Sequence, residues 1–276
     1  MWGGTRWPAS LVVLVAIGSA CTAEGDDRNT VVASFYPLAF AAERVASDDW
    51  EVVDLTPPGT EAHDVELSLE DRAAIEDAEV VLYLGDYGFQ PQVEAGVEEA
   101  MGTVVAVGDS SGEDLSSDPH VWLDPAHMAQ IVADVAGAIP GASDRGLRSE
   151  LVALAERYAD GLASCRFRTM VVPHEAFGYL ADAYGLEQFG LAGVDPEGEP
   201  GAARLAQAHQ LLTSGQAGAV FFEAGGEAQG MAETVAADAR VPALPLSTLE
   251  SEPPAGDYLS VMEENLASLR RGLDCG

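Results

Sequence analysis

The chain has 276 residues, 47% of them hydrophobic, with 46 acidic side chains against 13 basic ones and a formal charge of −33. That much apolar content can bury a large core, which excludes a disordered acidic tail, and the length suggests about two domains. Every basic residue is arginine, and negative charge spread along the whole chain repels phosphate backbones and anionic lipid headgroups, which argues against nucleic acid as a partner.

The N-terminus is a separate object. Residues 1–8 carry one positive charge at Arg6, Leu11 to Ile17 form an apolar run, and Gly18-Ser19-Ala20 precede Cys21, which is the form of a secretory signal peptide. Its apolar core is too short to span a bilayer, and no later stretch reaches about 18 uninterrupted apolar residues. The mature protein is therefore expected to be exported and either soluble or tethered. Small residues before a cysteine resemble the bacterial lipoprotein cleavage box, with Cys21 as the lipid-bearing first residue. Gly18 stands where that box usually has leucine, and an ordinary cleaved signal is the alternative. Thr22 to Thr30 is polar and suits a short tether.

From residue 31 apolar runs alternate with helix-like segments. Strands are expected at 31–36, 51–55, 80–84 and 103–107, with helices at 38–46, 68–77 and 89–100 between them. A Gly/Ser/Asp stretch at 108–118 interrupts the series, and a helix at 125–138 follows. In 143–164, Leu147, Leu151, Leu154, Tyr158 and Leu162 recur every three or four residues with charge on the other face, which predicts one long helix opening at a Ser/Asp cap. A second series predicts strands at 168–173, 187–191, 219–223 and 241–246, with helices at 175–184, 201–214, 227–239 and 258–273. Alternation of this kind means α/β lobes with parallel sheets. The expected division is a signal peptide at 1–21, a tether at 22–30, lobes at 31–142 and 166–276, and a linking helix at 143–165.

In an exported protein the two remaining cysteines, Cys165 and Cys275, are expected to form a disulfide pinning the last helix, with thiolate metal ligation as the alternative. Three of the five histidines have suggestive positions. His63 lies in the loop after the second strand, His120 after the long polar loop, and His174 directly after the apolar strand ending at Pro173. Ligands of open α/β sheets bind at the carboxyl ends of strands, where His63 and His174 fall, so a shared site would lie between the lobes. His127 and His209 are expected to be solvated helix residues.

Four segments carry a family resemblance: Val31-Val32-Ala33-Ser34-Phe35-Tyr36-Pro37-Leu38; Thr56-Pro57-Pro58-Gly59 with His63-Asp64; Asp118-Pro119-His120-Val121-Trp122-Leu123-Asp124-Pro125; and His174-Glu175-Ala176-Phe177-Gly178-Tyr179-Leu180. In this order they resemble the zinc/manganese solute-binding proteins of bacterial ABC transporters. The resemblance implies two Rossmann-like lobes joined by one long helix, one divalent metal in the cleft, and His63, His120 and His174 as its ligands. The fourth ligand of such proteins is commonly an aspartate after the last strand. Here Ser247 stands at that position, leaving water or a nearby carboxylate such as Glu223 to complete the site or support it from behind, and Ser247→Asp is expected to tighten binding or improve Mn²⁺ uptake. The acidic 108–118 loop lacks the histidines of zinc-specific relatives.

The implied function is the extracytoplasmic binding component of a metal importer, a monomer that captures Zn²⁺, with Mn²⁺ as a second possibility, and delivers it to an ABC permease from the outer membrane face or the periplasm. Imidazoles suit Zn²⁺, whereas Mn²⁺ leans on carboxylate oxygen. The rival readings are an exported zinc-dependent hydrolase, since three histidines and an open position also describe catalytic zinc, and a surface adhesin. No His-Glu-x-x-His helix or nucleophile elbow supports the hydrolase.

Overall fold

A computed structural model of the chain describes residues 1–4, 29–112, 115–193, 200–226 and 228–276. The signal-peptide core, Cys21 and most of the expected tether lie outside the described residues. The first lobe runs β1 (Asn29–Ala33), α1 (Tyr36–Val45), β2 (Trp50–Asp54), α2 (Leu69–Asp77), β3 (Val80–Tyr83), α3 (Pro91–Gly96) and β4 (Thr103–Ala106), followed by α4 (Pro125–Ala138) and the long helix α5 (Arg145–Leu162). The second runs β5 (Thr169–Val172), α6 (Gly178–Ala183), β6 (Glu187–Gly190), α7 (Ala202–Thr213), β7 (Val220–Phe222), α8 (Gln229–Ala239), β8 (Ala243–Pro245) and α9 (Tyr258–Gly272).

Both sheets are parallel and share one topology, β2-β1-β3-β4 and β6-β5-β7-β8. Alternate residues explain why the central strands read as unbroken apolar runs. Val31, Ala33, Val80 and Leu82 face one core, while Val32, Val81 and Tyr83 face another beneath α2 and α3. In the second sheet Met170, Val172 and Phe221 join the first of these cores, while Val171 and Val220 face a third under α7 and α8. One core thus runs through both sheets and the helices between them.

Helix α5 holds this shared core together. Its 18 residues rise about 27 Å, and Leu147, Leu151, Leu154, Tyr158 and Leu162 form its buried stripe against α4 and α9. Tyr158 is fully buried and donates its hydroxyl to the Met262 carbonyl at 2.7 Å, which satisfies the one polar atom the stripe carries inward. Asp144 stands at the N-cap, but its carboxylate pairs with Arg148 at 3.1 Å and makes no cap bond, a departure from the expected cap. Cys165 and Cys275 are disulfide-bonded, joining the chain just after α5 to the chain just after α9 across 110 residues.

The expected strands and helices are present with small shifts at their ends, and one shift matters. The helix expected from Glu175 begins at Gly178. The backbone N–H groups before it are engaged elsewhere: Glu175 donates to Gly193 O, Ala176 to His174 O and Phe177 to the Gln188 side chain. His174 therefore sits on an irregular bend, and not on a helix.

The arginines pair individually, as Arg44 does with Glu150 and Arg157 with Glu263, and 46 carboxylates cannot all be matched by 13 cations. Salt that screens the remaining self-repulsion should stabilise the fold. The melting temperature is expected to rise between low salt and about 1 M salt, where the Debye length is about 3 Å; a flat or falling value would count against this.

Candidate metal centre

The sheets reverse their strand order between β1 and β3 and between β5 and β7, and the chain segments leaving these carboxyl ends form the cleft. His63 occupies a short 3₁₀ turn, Ala62–Asp64, in the loop after β2. Pro58-Gly59 sets up that loop: Gly59 has φ 81° and Thr60 N–H closes onto Pro57 O at 3.0 Å, a type II turn that a β-carbon would strain. Gln90 then anchors it, donating its amide to Ala62 O at 3.0 Å and Ser34 O at 3.1 Å.

His120 is 2% exposed. Asp118 Oδ1 accepts from both the His120 backbone N–H, at 3.0 Å, and ring Nδ1, at 2.9 Å. That pairing assigns the proton to Nδ1 and leaves Nε2 to face the cleft, the arrangement by which a carboxylate orients a ligating imidazole. His174 follows β5, its ring 5.5 Å from that of His120, and its Nε2 is buried without a hydrogen-bond partner.

Glu250 is the residue that sequence reasoning passed over. It is 3% exposed, its Oε2 accepts the Ala62 N–H at 3.0 Å, and its Oε1 lies 3.3 Å from His120 Nε2, misaligned for a hydrogen bond. Leu249, buried with φ 55°, turns the chain so that Glu250 enters the cleft, a left-handed conformation that costs about 1–3 kcal/mol. Surrounding bonds hold this turn. Asn265 pairs with both Ser247 N–H and O, Thr248 donates N–H and hydroxyl to Glu223 Oε1, and Trp122 Nε1 donates to Thr248 O at 2.8 Å. Ser247 Oγ accepts the Leu249 N–H at 3.1 Å.

His120, His174 and Glu250 therefore offer ligand atoms within 4.8 Å of one another, all three buried, and Glu61, His63 and Glu250 form a second such group. The three predicted histidines converge on one carboxylate. Glu223 falls in neither group among the described residues; its carboxylate and the Ser247 hydroxyl hold the turn that carries Glu250. His209 is exposed as expected. His127 is not simply solvated, because its Nδ1 lies 2.7 Å from Asp124 Oδ2 and its ring meets Tyr179 edge-on. Glu250 had one faint signal, its position as the carboxylate closing the loop after the last strand. Glu61, directly after a Pro/Gly turn, had none.

Burial lowers the pKa of His174 to about 4, helped by the neighbouring His120, so its imidazole is neutral and its free Nε2 can accept a cation. Burial also opposes the charge on His120, but its hydrogen bond to Asp118 and the adjacent Glu250 charge win and raise it to about 9. Against the same burial, Glu61 and the nearby Glu250 charge raise His63 to about 9. Glu250 is pushed up by burial, yet His120, His63 and His174 around it hold it below the usual carboxylate range. Burial, with the neighbouring Glu250 charge, raises Glu223 to about 7. Buried imidazole nitrogens beside a charged carboxylate oxygen are a donor set for a borderline divalent cation, and the unpartnered His174 Nε2 and Glu250 Oε1 are the atoms such an ion would satisfy.

Comparison with known proteins follows the same line. The family profile described as ZnuA, zinc-uptake complex component A, periplasmic, matches residues 31–272. The chain is 30% identical over 301 residues to the zinc-binding lipoprotein AdcA of Streptococcus pneumoniae, with 96% of this chain and 60% of that protein covered, so it spans about 60% of that relative's length. It is 28% identical to the high-affinity zinc uptake system protein ZnuA of Bacillus subtilis, with 99% of this chain and 98% of that protein covered. Among solved structures, the Zn(II)-bound ZnuA-like domain of Streptococcus pneumoniae AdcA superposes with a TM-score of 0.74 at 30% identity over 90% of this chain and 99% of that one. The laminin-binding protein of Streptococcus agalactiae, described as having adhesin and metal-transporting activity, gives 0.80 at 26% identity over 89% of this chain and 99% of that one.

Proposed function

The chain belongs to the zinc-uptake complex component A family, and from that premise we propose that it is the extracytoplasmic solute-binding protein of a zinc importer. The observation that carries this reading is the convergence of His120, His174 and Glu250 from three separate segments, with two buried ligand atoms left unpartnered. We assign the ion to His63, His120, His174 and Glu250, with Asp118 orienting His120, and Glu223 and Ser247 supporting the Glu250 turn. Three imidazoles and one carboxylate favour Zn²⁺ over Mn²⁺. Residues 31–142 and 166–276 would act as the two lobes about the 143–165 segment, delivering the ion to an ABC permease. Residues 1–21 would serve as the export signal, Cys21 as a lipid anchor at the outer membrane face and 22–30 as the tether. No described helix is long and apolar enough to cross a membrane.

Titration of the metal-stripped protein tests the reading: one zinc per chain, bound tightly and released unchanged, with no hydrolysis of esters or peptides. Absence of stoichiometric binding would overturn it, and turnover would favour the hydrolase.

The histidine pKa values change the expected pH dependence. Reference imidazoles would compete with zinc only below about 6.5. His63 and His120, held near 9, carry protons at pH 7 that must leave before they can ligate. Zinc affinity should therefore climb steadily from pH 6 to 8 and level off only above about 9. Binding at pH 7 should release protons, read as a buffer-dependent heat in calorimetry. Equal heats in buffers of different ionisation enthalpy would contradict this.

A further inference from the structure

The donors of the cleft fall into two overlapping groups. His120, His174 and Glu250 are all buried, whereas in the group of Glu61, His63 and Glu250 the Glu61 side chain is 32% exposed and that of His63 18% exposed. Glu250 belongs to both. The groups also differ chemically: the inner one offers two imidazoles and a carboxylate, the outer one imidazole and two carboxylates. A dication arriving from water is drawn first to anionic oxygen, and a half-exposed position lets it keep part of its water shell while it binds. The inner position demands fuller dehydration, and its imidazoles repay it.

The geometry joins the two positions. His63 Nε2 lies 2.7 Å from Glu61 Oε2, its Nδ1 lies 3.0 Å from Asp64 Oδ1, and the Ala62 N–H between Glu61 and His63 binds Glu250 Oε2. Glu250 Oε1, buried and without a hydrogen-bond partner, is 3.3 Å from His120 Nε2. One carboxylate thus reaches the outer loop with one oxygen and the inner imidazole with the other. Resting on the transport reading above, we propose that Glu61, His63 and Glu250 form an outer cation site that takes the ion first, and that Glu250 passes it inward to His120 and His174. Glu61 is then displaced, and His63 stays with the ion as its fourth ligand. Glu61 is a capture residue and not part of the final ligand set.

Zinc titration of the wild type, of His120→Ala/His174→Ala, and of that double variant carrying Glu61→Gln as well provides the test. The double variant should still bind one zinc, at least about 100-fold more weakly than wild type, and Glu61→Gln should weaken this residual binding by about tenfold more. Failure of the double variant to bind zinc at millimolar concentration while remaining folded by circular dichroism, or residual binding indifferent to Glu61→Gln, would overturn the outer site alone. A wild type that bound no zinc would overturn the transport reading and this inference with it. Should the double variant not fold, stopped-flow mixing of zinc with the single variant Glu61→Gln decides: association slowed about tenfold supports the outer site, and an unchanged association rate overturns it.

Discussion

His174→Ala is expected to weaken zinc binding by more than about 100-fold, beyond the 10–100-fold typical for loss of a residue that only orients a ligand. His174 is the strongest single test because its ring needs no preparation. It is neutral, buried, and its Nε2 has no other bond to make. Removing it leaves two imidazoles and one carboxylate, and no other histidine stands within reach to replace it among the described residues. Glu250→Gln should cost a comparable amount, since it removes the anionic oxygen that both groups share, while keeping the Ala62 bond through the amide oxygen. Glu223→Gln and Ser247→Ala should shift affinity by only a few-fold if they act through the turn. His127→Ala and His209→Ala should leave it unchanged. Calorimetric titration of the metal-stripped variants reads all of these, and a loss confined to Glu223→Gln would move the ion away from Glu250.

Removing the Cys165–Cys275 bond should cost about 4–5 kcal/mol on the chain-entropy model, which assigns about 4.7 kcal/mol to a 100-residue loop; the loop here spans 110 residues. At about 2–4 °C per kcal/mol for a protein of this size, the melting temperature of Cys165→Ser/Cys275→Ser should fall by about 10–20 °C. The effect should be on stability and not on the site. The bond lies before β5, at the opposite end of that strand from His174, where Arg166 and Phe167 N–H also bind the Asp274 and Leu273 carbonyls. Those backbone bonds should keep α9 docked in the reduced protein, so zinc affinity at 25 °C should be retained. Thermal unfolding with and without reductant checks the first part, and titration under reducing conditions the second. A melting temperature unchanged by the double substitution would show that the unfolded chain is already constrained.

Much of the molecule was legible one residue at a time. Alternating apolar runs and amphipathic segments determined a parallel α/β architecture because burial of both sheet faces and of one helix stripe is a local pattern: Val80-Val81-Leu82 faces two cores, and Leu147 to Leu162 lines one side of α5. The placing of His63 and His174 at strand ends followed from the same reading. What the tertiary structure alone decided was which side chains meet. Glu250 reaches the cleft because Leu249 takes φ 55°, a conformation held by Trp122, which bonds Thr248 from 126 positions away, and by Glu223 and Asn265. Ser247, nearer the strand, has its hydroxyl turned onto Leu249, and the segment after His174 is tied to Gly193 and Gln188 through the Glu175 and Phe177 N–H groups. Local periodicity encodes which face of an element is buried, but a metal site depends on the aim of a few side chains. That aim is fixed by hydrogen bonds between residues as far apart as Ala62 and Glu250, 188 positions apart, whose partners no local spacing reveals.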